Sequence, residues 1–181
     1  SLDAGPAPLV VTSADVDRRL APFYARTRSM SGLVTSLAGD FERRQWPAEV
    51  SFIQAAARAG EAAIAAAGID RARIGVVIDT SVSRARLEPS SAVSVHHLLD
   101  LPPNCLNFDV SNACLGFVTG LHLAGALIDS GQIDYALIVD GEGTREIYDR
   151  TIDRLNERGE GLPDLLANFA TFTLGSGAAA M

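Results

Sequence analysis

Few residue types in this sequence are suited to covalent chemistry, and the first of them is a cysteine at a strand-to-helix junction. The local sequence is Leu106-Asn-Phe-Asp-Val-Ser-Asn-Ala-Cys114-Leu-Gly-Phe-Val-Thr-Gly-Leu-His-Leu-Ala-Gly-Ala-Leu-Ile-Asp129. As far as Ala113 it reads as a short buried strand. From Cys114 it reads as a helix with Gly116, Gly120, Ala124 and Gly125 along one flank. A thiol at a helix N-terminus faces unpaired backbone N–H groups and the positive end of the helix dipole. Both favour thiolate over thiol, the form that attacks carbonyl carbon. With glycines allowing close backbone approach, the junction has the character of a nucleophile elbow. Most free cysteines are instead buried small hydrophobes. Cys105, which follows Pro102-Pro103-Asn104 at a strand entry, is assigned that structural role.

A cysteine nucleophile needs proton-handling partners. The three histidines are His96, His97 and His122. His122 lies two helical turns from Cys114, roughly 12 Å along the axis, beyond hydrogen-bond reach. His96 and His97 sit mid-helix beside Leu98 and Leu99, where packing or solvent is the commoner fate. Glu88 stands in Thr80-Ser-Val-Ser-Arg-Ala-Arg-Leu-Glu-Pro-Ser90, a loop that leaves a buried strand and ends just before a helix. It has two readings: Pro89 opening a helical turn that Glu88 stabilises electrostatically, or a general base on an active-site loop. Asp140-Gly-Glu142-Gly143 is a turn after a strand, with structural use the simpler reading. Arg43, Arg44 and Trp46 form a cationic and aromatic patch of a kind that binds phosphate or adenine, although surface arginines usually have no such role. Gly175-Ser-Gly177 lacks the strand–helix context of a nucleotide fingerprint. No pair of histidines has zinc-ligand spacing supported by another ligand, so no metal is expected.

These residues must be positioned by a core, and 181 residues that are 48% hydrophobic suffice for a sizeable one. Ile74-Gly-Val-Val-Ile-Asp-Thr80 and Tyr135-Ala-Leu-Ile-Val-Asp140 are the apolar runs of strands buried on both faces. Between them the pattern predicts helices: one after a Thr12 N-cap with Leu20, Phe23 and Tyr24 at helical spacing, one from Ser51 to about Ala67 ending at Gly68, and one over roughly 90–99. Residues 32–47 read as loop or short helix, and a polar helical stretch is predicted near 145–158. Strands alternating with helices give an α/β layered fold with a largely parallel sheet, whose ligands gather beyond the carboxyl ends of the strands, where Cys114 falls. The net charge of −7 argues against a nucleic-acid binder. All 15 basic residues are arginine, which excludes a lysine Schiff base or a P-loop lysine. Asp109, Asp129, Asp134 and Asp140 punctuate the apolar segments, so no membrane span is expected, and a cytoplasmic location is the default. The absence of an initiating Met and the ending in Gly175-Ser-Gly-Ala-Ala-Ala-Met181, like a strand just starting, suggest a piece of a longer protein.

Ser111-Asn-Ala-Cys-Leu-Gly-Phe117, Gly131-Gln-Ile-Asp-Tyr-Ala-Leu-Ile-Val-Asp140 and Thr173-Leu-Gly-Ser-Gly-Ala-Ala-Ala-Met181 resemble the thiolase superfamily in its ketoacyl synthase III branch. The loop carrying Glu88 and Asp140-Gly-Glu142 resemble its OleA subgroup, which joins two fatty acyl-CoAs head to head in olefin biosynthesis. The resemblance runs from about Thr12 to Met181. It implies an αβαβα layered fold of two similar halves, with residues 1–181 as the N-terminal half, lacking its initial strand, and the C-terminal half absent. The catalytic histidine and asparagine of the family belong to that absent half. The resemblance further implies an acyltransferase in which Cys114 takes the acyl group of one acyl-CoA and Glu88 removes a C2 proton from a second. A non-decarboxylative Claisen condensation then gives a β-keto thioester or β-keto acid. Acyl-CoA would be substrate and no cofactor is implied; Glu88 would reach the neighbouring site of a homodimer. The alternatives are a decarboxylative synthase using an acyl-carrier protein, a related β-lactone, pyrone or polyketide condensing enzyme, and a non-catalytic partner subunit. Phe117 and Leu115 are candidates for lining an acyl channel, though core packing is the commoner role. One departure is Asp40, where relatives tend to have an apolar residue after the glycine; it counts against coenzyme contacts by Arg43, Arg44 or Trp46.

Overall fold

The computed structural model describes residues 3–39 and 41–181; Asp40 lies outside the described residues. The chain divides into two compact units, one made of residues 1–6, 49–142 and 177–181, the other of residues 7–48 and 143–176.

The first unit is a five-stranded sheet: β1 (Asp3–Pro6), then β4 (Ile74–Asp79), β5 (Leu106–Asp109), β6 (Tyr135–Glu142) and β7 (Gly177–Ala180), in the spatial order β1-β7-β6-β4-β5. Strands β4, β5 and β6 are mutually parallel, while β7 runs antiparallel to both β6 and β1. The resemblance implied a half lacking its initial strand; in the structure Asp3–Pro6 forms an edge strand in antiparallel register with the small residues 177–180.

Side chains alternate across the sheet, and each face has its own core. Leu137 and Val139 of β6 pack with Val77 against α4 (Phe52–Ala67) and α5 (Ser91–Leu98). Val76, Ile78 and Ile138 point the other way, onto Ala124 of α6 (Gly116–Asp129). Helix α4 forms as expected: Ser51 and Gln54 make a reciprocal capping box, and Gly68 ends the helix in the left-handed conformation. Its alanine face allows close seating on the sheet. At Gly141 of β6 a Cβ would collide with the Phe52 carbonyl and with Ala56, which gives that glycine a packing role.

The second unit holds α1 (Ser13–Arg19), α2 (Ala21–Thr27), α3 (Leu33–Leu37), α7 (Arg145–Arg158), α8 (Leu162–Ala167) and an antiparallel pair, β2 (Leu9–Thr12) with β3 (Glu42–Gln45). Thr12 caps α1 with Asp15 as its capping-box partner. Tyr148, Ile152 and Leu155 of the polar α7 recur at helical spacing and close a core with Leu20, Phe23, Leu165 and Phe172. Strand β3 was not foreseen in residues 32–47. Its sequence, Glu42-Arg43-Arg44-Gln45, has no apolar residue, so the strand depends on main-chain pairing with β2. Alternation then decides the fate of the basic patch. Arg43 is turned inward and donates to Ser13 Oγ, while Arg44 faces out and pairs with Glu42. Trp46 offers its carbonyl to Arg145.

Candidate active site at the strand ends

The carboxyl ends of β4, β5 and β6 carry Asp79, Asp109, Asp140 and Glu142, and the segments leaving these strands include both Glu88 and Cys114. The approach to Cys114 differs from the expected direct strand-to-helix junction. Strand β5 ends at Asp109, residues 110–112 bridge the gap, and Cys114 occupies a 3-10 turn (Ala113–Leu115), two residues before α6 begins at Gly116. The sharp turn is taken at Ala113, whose φ of 44° lies in the left-handed region disfavoured for a residue with Cβ. Asn112 Nδ2 donates to Thr119 Oγ1, which donates to the Leu115 carbonyl, bracing the turn over the first residues of α6. Cys114 is left exposed, whereas Cys105 is buried, and burial pushes its thiol up to about 11.

The small flank of α6 has a steric reason. A Cβ on Gly116 would meet the Thr80 carbonyl at 2.7 Å, and one on Gly120 would meet Thr80 Cγ2 at 2.9 Å. Glycine at both positions lets α6 lie directly on the end of β4. Gly125, grouped with them in the sequence, has open space around it.

Glu88 is exposed, in a loop joining β4 to α5. It makes no capping hydrogen bond to α5. Helix α5 starts at Ser91 with Ser90 as N-cap, Ser90 Oγ accepts from Val93 N, and the Asp109 carboxylate accepts from Ser91 N and Ala92 N at 2.8 and 2.9 Å. The first orphan N–H groups are therefore taken. Among the described residues the Glu88 carboxylate has no hydrogen-bond or ion-pair partner.

The loop around it is anchored at several points. Glu142 accepts from Val82 N at 2.5 Å, Ser83 N at 3.0 Å and Ser83 Oγ at 2.6 Å. Ser81 Oγ accepts from Gly141 N, and Thr80 Oγ1 donates to Asp140. Asp140-Gly-Glu142 is thus the tail of β6 and a fastening for the β4 loop. Asp79 is fully buried; burial pushes its carboxyl up to about 6 and the nearby Asp109 charge adds to the rise, opposed by hydrogen bonds from Ser81 and by the Arg84 cation. Burial raises Asp140 as well. Sequence reasoning passed over Asp79, Arg84 and Asp109; a charged residue at the end of each apolar strand was the available signal.

The histidines are not brought to Cys114. His96 Nε2 lies 3.1 Å from the Pro102 carbonyl, and His97 and His122 are exposed. No grouping of ligands suited to a metal occurs among the described residues. No helix among them is long and apolar enough to cross a membrane. An open cavity of about 530 Å³ in the second unit, lined by Asp17, Tyr24 and Ser31 among others, includes none of these residues.

The family description 3-oxoacyl-acyl-carrier-protein (ACP) synthase III matches residues 108–181. An acyl-CoA:acyl-CoA alkyltransferase of Xanthomonas campestris is 39% identical over 97% of this chain and 52% of its own length. The enzyme of that name from Shewanella oneidensis is 37% identical over 97% of this chain and 50% of its own. A crystal structure of Xanthomonas campestris OleA superposes with a TM-score of 0.91 over 99% of this chain and 55% of that one, at 38% identity. Another was solved with bound lauric acid and lauroyl-CoA. The chain spans about half the length of the curated relatives it matches. Likeness across nearly every residue gives this chain the thiolase-like fold of the OleA structures, and residues 108–181 carry the match to the ketoacyl synthase III family.

Proposed function

We propose that the protein carrying this chain is an acyltransferase that condenses two fatty acyl-CoAs without decarboxylation, with Cys114 as nucleophile and Glu88 as base. Residues 1–181 act in this reading as the N-terminal half, and the remaining half supplies the histidine and asparagine. The Cys114 thiolate attacks the carbonyl of one thioester and CoA thiolate leaves, giving an acyl-cysteine. The Cys114 backbone N–H and a donor from the other half hold the oxyanion. Glu88 takes a proton from C2 of a second acyl-CoA. The carbanion attacks the acyl-enzyme carbonyl, a carbon–carbon bond forms, and the Cys114 thiolate is expelled. The product is a β-ketoacyl-CoA, or the β-keto acid after hydrolysis. The protein works in the cytoplasm as a homodimer in which Glu88 serves the neighbouring site.

One observation carries the choice of Glu88: its carboxylate is exposed and unpartnered while Asp109 and Ser90 do the capping it would otherwise do. The comparisons support the same choice. The synthase III match begins at residue 108, after Glu88, whereas the alkyltransferases align over 97% of the chain. Variants of the Xanthomonas enzyme at a glutamate and at a cysteine have been crystallised, and those two positions are as far apart in its sequence as Glu88 and Cys114 are here. A decarboxylating synthase needs no such base, and a second carboxylate would repel a malonyl group.

The test is the intact mass of the complete protein after exposure to tetradecanoyl-CoA, with peptide mapping. An acyl adduct on Cys114 that persists in Glu88→Ala and vanishes in Cys114→Ala is the expected outcome. An adduct formed only from an acyl-carrier-protein thioester would transfer the reading to the carrier-dependent synthase. Full condensation by Cys114→Ala would end it.

A further inference from the structure

The loop from Thr80 to Ser90 is exposed over residues 85–89 and contributes no residue to the hydrophobic cores. Such a segment holds one conformation only where polar contacts impose it. Five of those contacts converge on Arg84. Its Nη1 donates to the Ser81 carbonyl, to the Ser83 carbonyl at 3.1 Å, and to Asp79 Oδ1 at 3.4 Å. Its Nε lies 3.6 Å from Asp109 Oδ2, and Nη2 donates to Ser111 Oγ at 3.1 Å. One guanidinium thereby joins the end of β4, the end of β5, its own loop, and the segment that turns into Cys114. Asp109, on the far side, caps the helix that follows Glu88. Arg86 supplies a smaller clamp, with Nε donating to the Pro89 carbonyl and Nη2 to Ser94 Oγ.

From this convergence we infer that Arg84 is a positioning residue for the condensation, fixing the Glu88 loop on the strand ends of its own subunit so that the carboxylate is presented to the neighbouring site. The inference rests on the proposed function above. A planar fork with five donors satisfies acceptors in several directions at once; an ammonium on a flexible stem does not. Ion pairs that are partly buried give little net stability after desolvation, so what this one supplies is geometry. Acylation of Cys114 does not use Glu88, whereas removal of the C2 proton does, and an error of about 1 Å in a reacting group can cost about 100-fold. Loss of Arg84 therefore slows one half-reaction and spares the other.

The experiment uses the complete protein as native, Arg84→Lys, Arg84→Ala, Glu88→Gln and the Arg84→Lys/Glu88→Gln double variant. Two rates are read with tetradecanoyl-CoA: acylation of Cys114 by mass, and exchange of the C2 hydrogens with deuterium oxide alongside condensation. The single Arg84 variants should acylate within about threefold of native while exchange and condensation fall by about 10- to 100-fold, lysine less than alanine. The double variant should be no slower than Glu88→Gln alone, because both changes act on one step. Arg84→Lys keeps the charge between two carboxylates, so it carries the decision if Arg84→Ala does not fold. Condensation within threefold of native in Arg84→Lys, an equal fall in acylation, or additive losses in the double variant would overturn the inference. Native condensation by Glu88→Gln would instead sink the proposed function, which keeps the two failures apart.

Discussion

Cys114 and Glu88 differ from their surroundings in opposite ways from the other acidic groups at the strand ends. Both are exposed, while Asp79 is buried and holds its proton more tightly than a free carboxyl. That difference has a pH consequence with a definite sign. With a folded value of about 6 against an ordinary 3.8, the native state binds more protons than the unfolded chain across that window. The cost of ionising Asp79 is absent below pH 4, accumulates as pH rises through 6, and is complete above it, at about 3 kcal/mol. Asp79→Asn removes the titrating group. Its stability relative to native protein, from urea unfolding at pH 4 and pH 7.5, should shift in the variant's favour by about 2 kcal/mol between the two pH values. An equal difference at both would show that Asp79 ionises freely.

At the scale of elements, α4 and α6 approach the sheet too closely to leave room for a side chain at certain glycines. Gly116 and Gly141 permit this through contacts with backbone oxygens, which cannot rotate away as a side chain can. Replacing either by alanine should cost about 1–3 kcal/mol, the usual range for overpacking. Gly60 in α4 is the internal control. A Cβ there meets only the flexible ends of Leu99, Leu137 and Val139 at 3.1–3.4 Å. Gly60→Ala gains about 1 kcal/mol of helix propensity, so the net change should be near zero. Thermal unfolding of the three variants checks the ranking. A Gly141→Ala protein as stable as native would mean that α4 does not sit where it is described. Gly116→Ala should also slow acylation of Cys114, because displacing α6 moves the elbow that precedes it.

For the whole molecule, the histidines of this chain do not reach Cys114, and in the proposed function the histidine comes from the remaining half. The proposed sharing of Glu88 between subunits predicts complementation. Cys114→Ala and Glu88→Gln proteins, each inactive in condensation, should recover about a quarter of native activity when unfolded and refolded together in equal amounts. Half the dimers are then mixed, and each mixed dimer has one competent site. Activity no higher than that of the separate variants would confine Glu88 to its own subunit.

Local chemistry was legible from the order of residues alone. Caps at Thr12, Ser51 and Gly68, the apolar strands ending at Asp79 and in the 135–142 segment, and the small flank beginning at Gly116 each follow from neighbours within a turn or two. The α/β class and a cysteine between β5 and α6 were visible for the same reason, although the 3-10 turn that puts Cys114 ahead of the helix was not. Whether helix N–H groups are left for Glu88 to cap was undecidable at that level, because a carboxylate before a helix looks the same whether or not the N–H groups behind it are already occupied. Asp109, 21 residues away in sequence, occupies them only once β5 is laid parallel to β4. Strand β3 and the inward turn of Arg43 likewise depend on pairing with β2, more than 30 residues earlier in the chain. Side-chain type and short spacing determine caps, strands and candidate nucleophiles; partners brought together by sheet register are decided only by the tertiary fold, since hydrogen bonds and ion pairs act over a few ångströms in space and not along the chain.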